Sequence, residues 1–394
     1  MFKYKISLSL FILSLTFFYC KQRKWSNELK YKFNSSISNN KLKFTDLLDS
    51  INFIQLDNSE LKLGYPLERF HVRNGKYLIA WNESGGYGKC GLFDPKGNLI
   101  AHLTSNSDPK LAIGSISDLD LLKDTLFVLS GTKLYKINVN NNSVLEQLNF
   151  GEMFSTFRST EYGLAMFSQM NSEYAVNMFD SRGRFMKGLI NLKELPTFIS
   201  DDFRHFSVFD HKSDLFYCNL SRDIYKIDYQ LMNSEILISM DFGVNQLNNK
   251  TLYEYLKSAG ADHEMQDKLF NKEGKFNFYS KVFNLKSLYF INFKLNKKTY
   301  YSLLNKKSQN LVSYSTIDND TGLNFLTNKF GAIQFMEGIN EALYSIAYPE
   351  SIHQAILNNN NQSSIKIKSN WNAFKEILNS NGNPVVVIYY LKKF

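Results

Sequence analysis

The stretch Asn74-Gly75-Lys76-Tyr77-Leu78-Ile79-Ala80-Trp81, followed by Cys90-Gly91-Leu92-Phe93-Asp94-Pro95-Lys96-Gly97-Asn98-Leu99-Ile100-Ala101-His102-Leu103, decides the fold. Asn74-Gly75 suits the positive φ angles of a tight hairpin, the apolar run after it reads as a buried strand, and Asp94 to Asn98 turns the next strand back on itself. The same unit of strand, short turn, apolar strand, connection, strand, hairpin and strand recurs along the chain. Its copies run from Glu68 to Thr104, Ile116 to Phe150, Phe154 to Ile190, His205 to Phe242 and Phe278 to Ile317, and a sixth begins at Gly331. Four-stranded units repeated every ~40 to 50 residues are the signature of propeller blades.

The sixth unit shows only three strands, the last of them Val385 to Leu391. Its outer strand is expected from the other end of the chain, at Ile51 to Leu56, which closes the ring and removes strand edges that would invite aggregation. The expected fold is therefore an all-β, six-bladed β-propeller over 44–394, closed by an N-terminal strand. Two segments interrupt the repeat with helical spacing, Gly243 to Asn277 (Leu252, Tyr255, Leu256; Met265, Leu269, Phe270) and Trp371 to Leu378. Chain order puts both on one face, where with Asn82 to Lys89 they would cap one end of the channel or merely plug the ring.

The chain has 394 residues, 44% hydrophobic and 15% aromatic, which is enough to fill a core and excludes wholesale disorder. Mean hydropathy of −0.29 excludes a multi-span membrane protein. The formal charge of +9 comes from 46 basic and 37 acidic side chains, but pairs such as Lys297-Lys298 and Lys306-Lys307 are scattered. With no nucleic-acid-binding motif beside them, a nucleic-acid partner is not expected.

The amino terminus carries an address. Lys3 and Lys5 precede an apolar stretch, Ile6 to Tyr19, that falls short of the ~20 residues needed to span a bilayer and so reads as a signal peptide. Leu15-Thr16-Phe17-Phe18-Tyr19-Cys20 resembles a bacterial lipobox, in which the Cys thiol is acylated, although Tyr19 stands where Gly, Ala or Ser is usual. The expected organisation is a signal peptide over 1–19, acylation at Cys20, a tether over 20–43 and the propeller thereafter. The plainer alternative is an ordinary signal peptide with an incidental Cys. Cys90 and Cys218 show no metal-binding spacing and are expected as buried free thiols, though an exported protein could bridge them.

Phe53-Ile54-Gln55-Leu56-Asp57-Asn58-Ser59-Glu60, with the Asn74 to Trp81 strand and the Leu92 to Ile100 hairpin, resembles the six-bladed β-propeller lipoproteins common in Bacteroidetes, related to NHL and TolB-like propellers. Asn383 to Lys392 is similar to that family's closing strand, and the resemblance covers Phe44 to Phe394. It implies an architecture and an envelope location, not a chemistry. Ser105 to Ser115 departs from the Gly-rich segment usual after the first blade.

No nucleophile elbow, zinc-protease, P-loop or kinase motif is present, so no catalytic residue is assigned. Candidate ligand-binding residues at the channel mouth are Arg69, Asp118, Arg204, His205 and Lys281, near the starts of inner strands. Their cationic balance suits a carboxylate or phosphate. The expectation is a monomeric cell-envelope binding module, held on the membrane by its lipid and facing the periplasm because Lys21, Arg23 and Lys24 follow the Cys. Its partner would be a protein, glycan or small anion, without cofactor. The alternative is a propeller hydrolase or lyase with a divalent cation in the channel, which would need three or more carboxylates or His to converge there.

Overall fold

The computed structural model describes residues 29–33, 40–57, 67–82, 88–103, 113–167, 173–191, 206–208, 210, 212–217, 221–242, 277–295, 298–321, 335–348, 366–367 and 384–393. The signal peptide, Cys20, Cys218, Arg204, His205, the Ser84 to Tyr87 loop and both helical insertions lie outside them. Among the described residues the only helix is the single turn Phe44–Leu47, and no helix is long and apolar enough to cross a membrane.

Six antiparallel sheets form the blades of a propeller. From the inner strand outward, blade 1 comprises Leu67–Arg73, Lys76–Asn82, Gly88–Phe93 and Leu99–Leu103, and blade 2 comprises Asp118–Leu122, Thr125–Ser130, Lys133–Asn138 and Ser143–Asn149. Blade 3 is Thr156–Thr160, Gly163–Phe167, Tyr174–Phe179 and Phe185–Asn191; blade 4 is Phe206–Val208, Ser213–Tyr217, Asp223–Asp228 and Asn233–Asp241. Blade 5 is Asn277–Asn284, Leu288–Leu295, Lys298–Asn305 and Leu311–Tyr314. Blade 6 has Glu337–Ile339, Ala342–Ala347 and Val385–Leu391, and then Leu48–Gln55 as its fourth strand.

The closing strand is the one expected. Val387 pairs with Phe53 and Tyr389 with Ile51 in an antiparallel register, and Leu56 N–H continues it to Pro384 O at 3.0 Å. Ile51 is fully buried and Phe53 nearly so, among Leu343, Val385, Val387 and Phe335. It is not the sheet edge, however. Lys366–Ile367, inserted between the second and third strands of the blade, pairs parallel outside it.

The stretch 20–43, expected as a tether, belongs to the ring from Leu29 onward. Leu29–Lys32 adds a parallel strand to the outside of blade 4, and Lys41–Lys43 pairs parallel with Thr316–Asp318 beside blade 5. The physical reason lies in Phe33, which sits edge-on against Phe293 and Tyr300, each at 5.2 Å, and fills the seam between blades 4 and 5. An aromatic so placed buries too much apolar surface to remain in a solvated linker. The chain therefore passes along the outside of blades 4 and 5 before it completes blade 6.

Blade turns follow their sequences. Asn74 and Gly75 take φ of 51° and 76°, the pair of positive values that the hairpin needs. Asp94 Oδ1 accepts the N–H groups of Lys96 and Asn98, and Asp180 does the same for Arg182 and Arg184. Gly97 turns at φ 91° directly against the closing strand, where a Cβ would lie 2.0 Å from Gln55 O.

Deleting the chain up to residue 64 is expected to give insoluble protein, since it uncovers both the Val385–Leu391 edge and the seam under Phe33. Phe33→Ala in the intact chain should cost about 3–5 kcal/mol in urea melts. Gly97→Ala should also destabilise, since it combines a disfavoured φ with a clash against backbone. A soluble, cooperatively melting truncation would contradict this closure.

Candidate functional site

The inner strands carry ionisable side chains at every second position: His71 and Arg73 on blade 1, Asp118 and Asp120 on blade 2, Arg158 after Thr156 on blade 3. Side chains alternate across a strand, so the residues between them face the other way. Phe70 and Val72 pack back on Val386 and Ile388 of blade 6, Leu119 and Leu121 on blade 1, and Phe157 on Leu129 of blade 2. The polar residues reach forward to the next blade.

Two tiers result. In the first, His71 Nε2 lies 2.6 Å from Asp118 Oδ1, while Asp118 Oδ2 accepts the Thr156 hydroxyl and, at 3.1 Å, the Phe157 N–H. In the second, Arg73 Nε donates to Asp120 Oδ1 at 2.6 Å, and Asp120 Oδ2 accepts the Ser159 N–H at 2.9 Å and its hydroxyl at 3.0 Å. Arg158 Nη1 stands 3.4 Å from the same Asp120 Oδ1, and its Nε donates to Asp214 of blade 4. Tyr229 Oη donates to Asp214 at 2.7 Å. Glu337 of blade 6 links back to blade 1, with Oε2 3.6 Å from His71 Nδ1 and 3.5 Å from Arg73 Nη1. The matched spacing 71/118/156 and 73/120/158 also shows that these inner strands run in the same direction.

All eight ionisable side chains are buried: Asp118, Asp120 and Glu337 are 1% exposed, and even Arg73 only 8%. Burial alone would lower the Arg73 pKa, but Asp120, Glu337 and Asp214 outweigh it and raise it, so the guanidinium stays charged. Burial and the Asp214 carboxylate hold the Tyr229 phenol well above its ordinary range, which keeps it a donor. The network thus spans blades 6, 1, 2, 3 and 4. At the seam between blades 5 and 6, Phe283 fills the space at Gly338, where a Cβ would lie 2.6 Å from it.

The sequence-derived candidates separate. Asp118 is a buried acceptor in the first tier, at the start of its inner strand. Arg69 is half-buried and donates to Ser117 O at 2.5 Å, which ties it to the strand that begins at Asp118. Lys281 is half-buried on the inner strand of blade 5, across the ring from blade 2. Charges at alternate positions of a strand otherwise destined for the interior were the signal for His71, Arg73, Asp120 and Arg158, which sequence reasoning did not select. Asp214 and Glu337 carry no such local mark. Among the described residues, no three His, Cys, Asp or Glu are grouped as a metal site requires. Cys90 is a buried free thiol whose pKa burial pushes up to about 12, which makes it a poor nucleophile.

The two rims of the ring differ. Because each blade is an antiparallel meander with the inner strands parallel, its first-to-second and third-to-fourth turns share one rim. These are tight, as at Asn74-Gly75, Asp94 to Asn98 and Asn340-Glu341. The second and fourth strands end at the opposite rim, so the second-to-third and blade-to-blade connections leave from there, among them those that follow Asn191, Asp241 and Ala347. Arg69 lies near the start of its inner strand, toward this long-connection rim.

No protein-family model matches the chain, and no curated protein matches it. Among solved structures it is similar to a candidate exported protein of Bacteroides fragilis, with 14% identity, a TM-score of 0.66, and coverage of 93% of this chain and 100% of the other. A Bacteroides caccae protein of unknown function (13% identity, TM-score 0.35, covering 58% and 70%) and the N-terminal domain of Nup159 (12%, 0.38, 71% and 71%) are more distant. The first likeness shows the fold.

Removing one member of a buried pair leaves the other uncompensated. Asp120→Asn is expected to lose about 3–5 kcal/mol by urea denaturation, whereas Arg158→Met with Asp214→Leu should lose much less than the sum of the two single changes. Equal losses in the double variant and the summed singles would show that the two residues do not act as a pair.

Proposed function

We propose that the chain is an exported, lipid-anchored binding propeller of the bacterial envelope, of the NHL/TolB-like kind, monomeric and facing the periplasm. The observation that carries this reading is the division of labour in the ring. The charges of the channel are spent on one another, while every long connection leaves from one rim. Binding residues are commonly borne by loops on a rigid scaffold. The long-connection rim is accordingly the recognition surface, with Arg69, Arg204, His205 and Lys281 giving it a cationic character suited to a carboxylate- or phosphate-bearing molecule, glycan or protein segment. No cofactor is needed for this role. The candidate exported protein of Bacteroides fragilis supports the address, and Ile6 to Cys20 supports the anchor.

Two measurements test it. Cells fed labelled fatty acid should incorporate label into the natural chain and not into Cys20→Ser, which should no longer sediment with membranes. On a panel of anionic metabolites, glycans and peptides, a ligand bound by the natural protein should bind at least ~10-fold more weakly to Arg69→Ala and Arg204→Ala of unchanged melting temperature, since charge-assisted pairs to such groups are strong. Binding that both variants leave intact would place recognition elsewhere.

A further inference from the structure

The outer strand of blade 4, Asn233–Asp241, runs from the tight-turn rim to the long-connection rim. Leu29–Lys32 pairs parallel with its second half, Leu29 beside Ile238 and Lys32 beside Asp241. Leu29 is therefore the end of this strand nearer the tight-turn rim. Residues 21–28 can extend at most ~27 Å, at ~3.4 Å each, about the height of a blade of ~7-residue strands.

Seven large apolar side chains are exposed among the described residues, and four of them lie on blades 2 to 4 at this side: Leu145 (56%), Phe185 (58%), Met186 (43%) and Leu231 (58%). They stand toward the tight-turn ends of three consecutive blades, which polar contacts tie together. Lys136 Nζ joins Glu146, next to Leu145, to Ser181 O in the turn before Phe185. Lys187 Nζ, next to Met186, donates to Met232 O, next to Leu231, at 2.9 Å. The Phe185 ring is braced against Phe179 at 5.8 Å. The remaining three, Ile100, Met153 and Val312, are on other blades or on the opposite rim, and single exposed apolar residues are ordinary.

We propose that Leu145, Phe185, Met186 and Leu231 form a membrane-contact patch that seats the tight-turn rim of blades 2 to 4 on the lipid surface and turns the long-connection rim away from it. The proposal rests on the lipid-anchor reading given above. One acyl-bearing terminus and a second weak contact together hold a protein more firmly than either alone. A short tether makes the second contact effectively intramolecular, so a small patch suffices. Arg184 is paired with Asp180 and Lys136 with Glu146, so these charges largely cancel and apolar insertion dominates. Lys21, Arg23 and Lys24 on the tether add attraction to anionic headgroups.

The test uses the mature acylated protein in phosphatidylethanolamine/phosphatidylglycerol vesicles, with Cys218→Ser and a bimane label at either Leu231→Cys or Met153→Cys. The label at 231 should be quenched by doxyl-labelled lipid and be at least ~3-fold less accessible to aqueous iodide than the label at 153, as insertion of a few ångströms into the headgroup region requires. Equal iodide access at both sites, with the protein still on the vesicles, overturns the proposal and leaves the anchor reading standing. A label at 231 shielded from iodide but not quenched by lipid overturns it in favour of a protein partner or a second copy. Protein that does not stay with the vesicles overturns the anchor reading and the proposal together.

Discussion

A ring of sheets has an inner edge, and that edge must be satisfied. Each innermost strand turns half of its N–H and C=O groups toward the channel, and a buried unpaired amide costs about as much as a lost hydrogen bond. Blade 3 shows the solution used here. Asp118 and Asp120, two residues apart on blade 2, accept the Phe157 and Ser159 N–H groups, which are also two residues apart. A carboxylate so placed needs compensation: the Arg73 and Arg158 guanidiniums provide it at Asp120, and His71 lies within hydrogen-bond distance of Asp118. The charges of the channel follow from its backbone chemistry. They also fix the rotation of one blade relative to the next, because a slip by one residue would drive them into the apolar seams.

The second requirement is closure, and the amino-terminal segment meets it beyond the minimum. Leu48–Gln55 completes blade 6, while Leu29–Lys32 and Lys41–Lys43 continue along blades 5 and 4. Phe33 is buried between blades 4 and 5, so the segment is packed as core and not merely laid on the surface. This couples the start of the chain to the seams on which the ring depends. It also fixes the point at which any membrane attachment upstream must pull, at the outer edge of blade 4.

Much of this was legible in the sequence because blades repeat. Asn-Gly and Asx-turn punctuation, with apolar runs between, gave all six units, and the missing fourth strand of the last one pointed to Ile51 to Leu56. The parallel additions were not legible. A four-residue strand such as Leu29–Lys32 has no period long enough to read, and the aromatic that follows it, Phe33, packs on Phe293 and Tyr300, which are remote in sequence. The channel was half legible. Asp118 is marked by its position at the start of an inner strand, but its partners are not, since nothing local reveals that Asp214 comes from a second strand or that Glu337 reaches across from blade 6.

The central claim is that carboxylates of one blade satisfy the inner edge of the next. Hydrogen exchange of the natural protein, read at the Phe157 and Ser159 amides, tests it most directly. These edge amides have no neighbouring strand on the channel side, yet they should exchange only through global unfolding, as slowly as the amides in the middle of the blade 3 sheet. Exchange at the rate of amides in the exposed Asp180 to Arg184 turn would contradict the account.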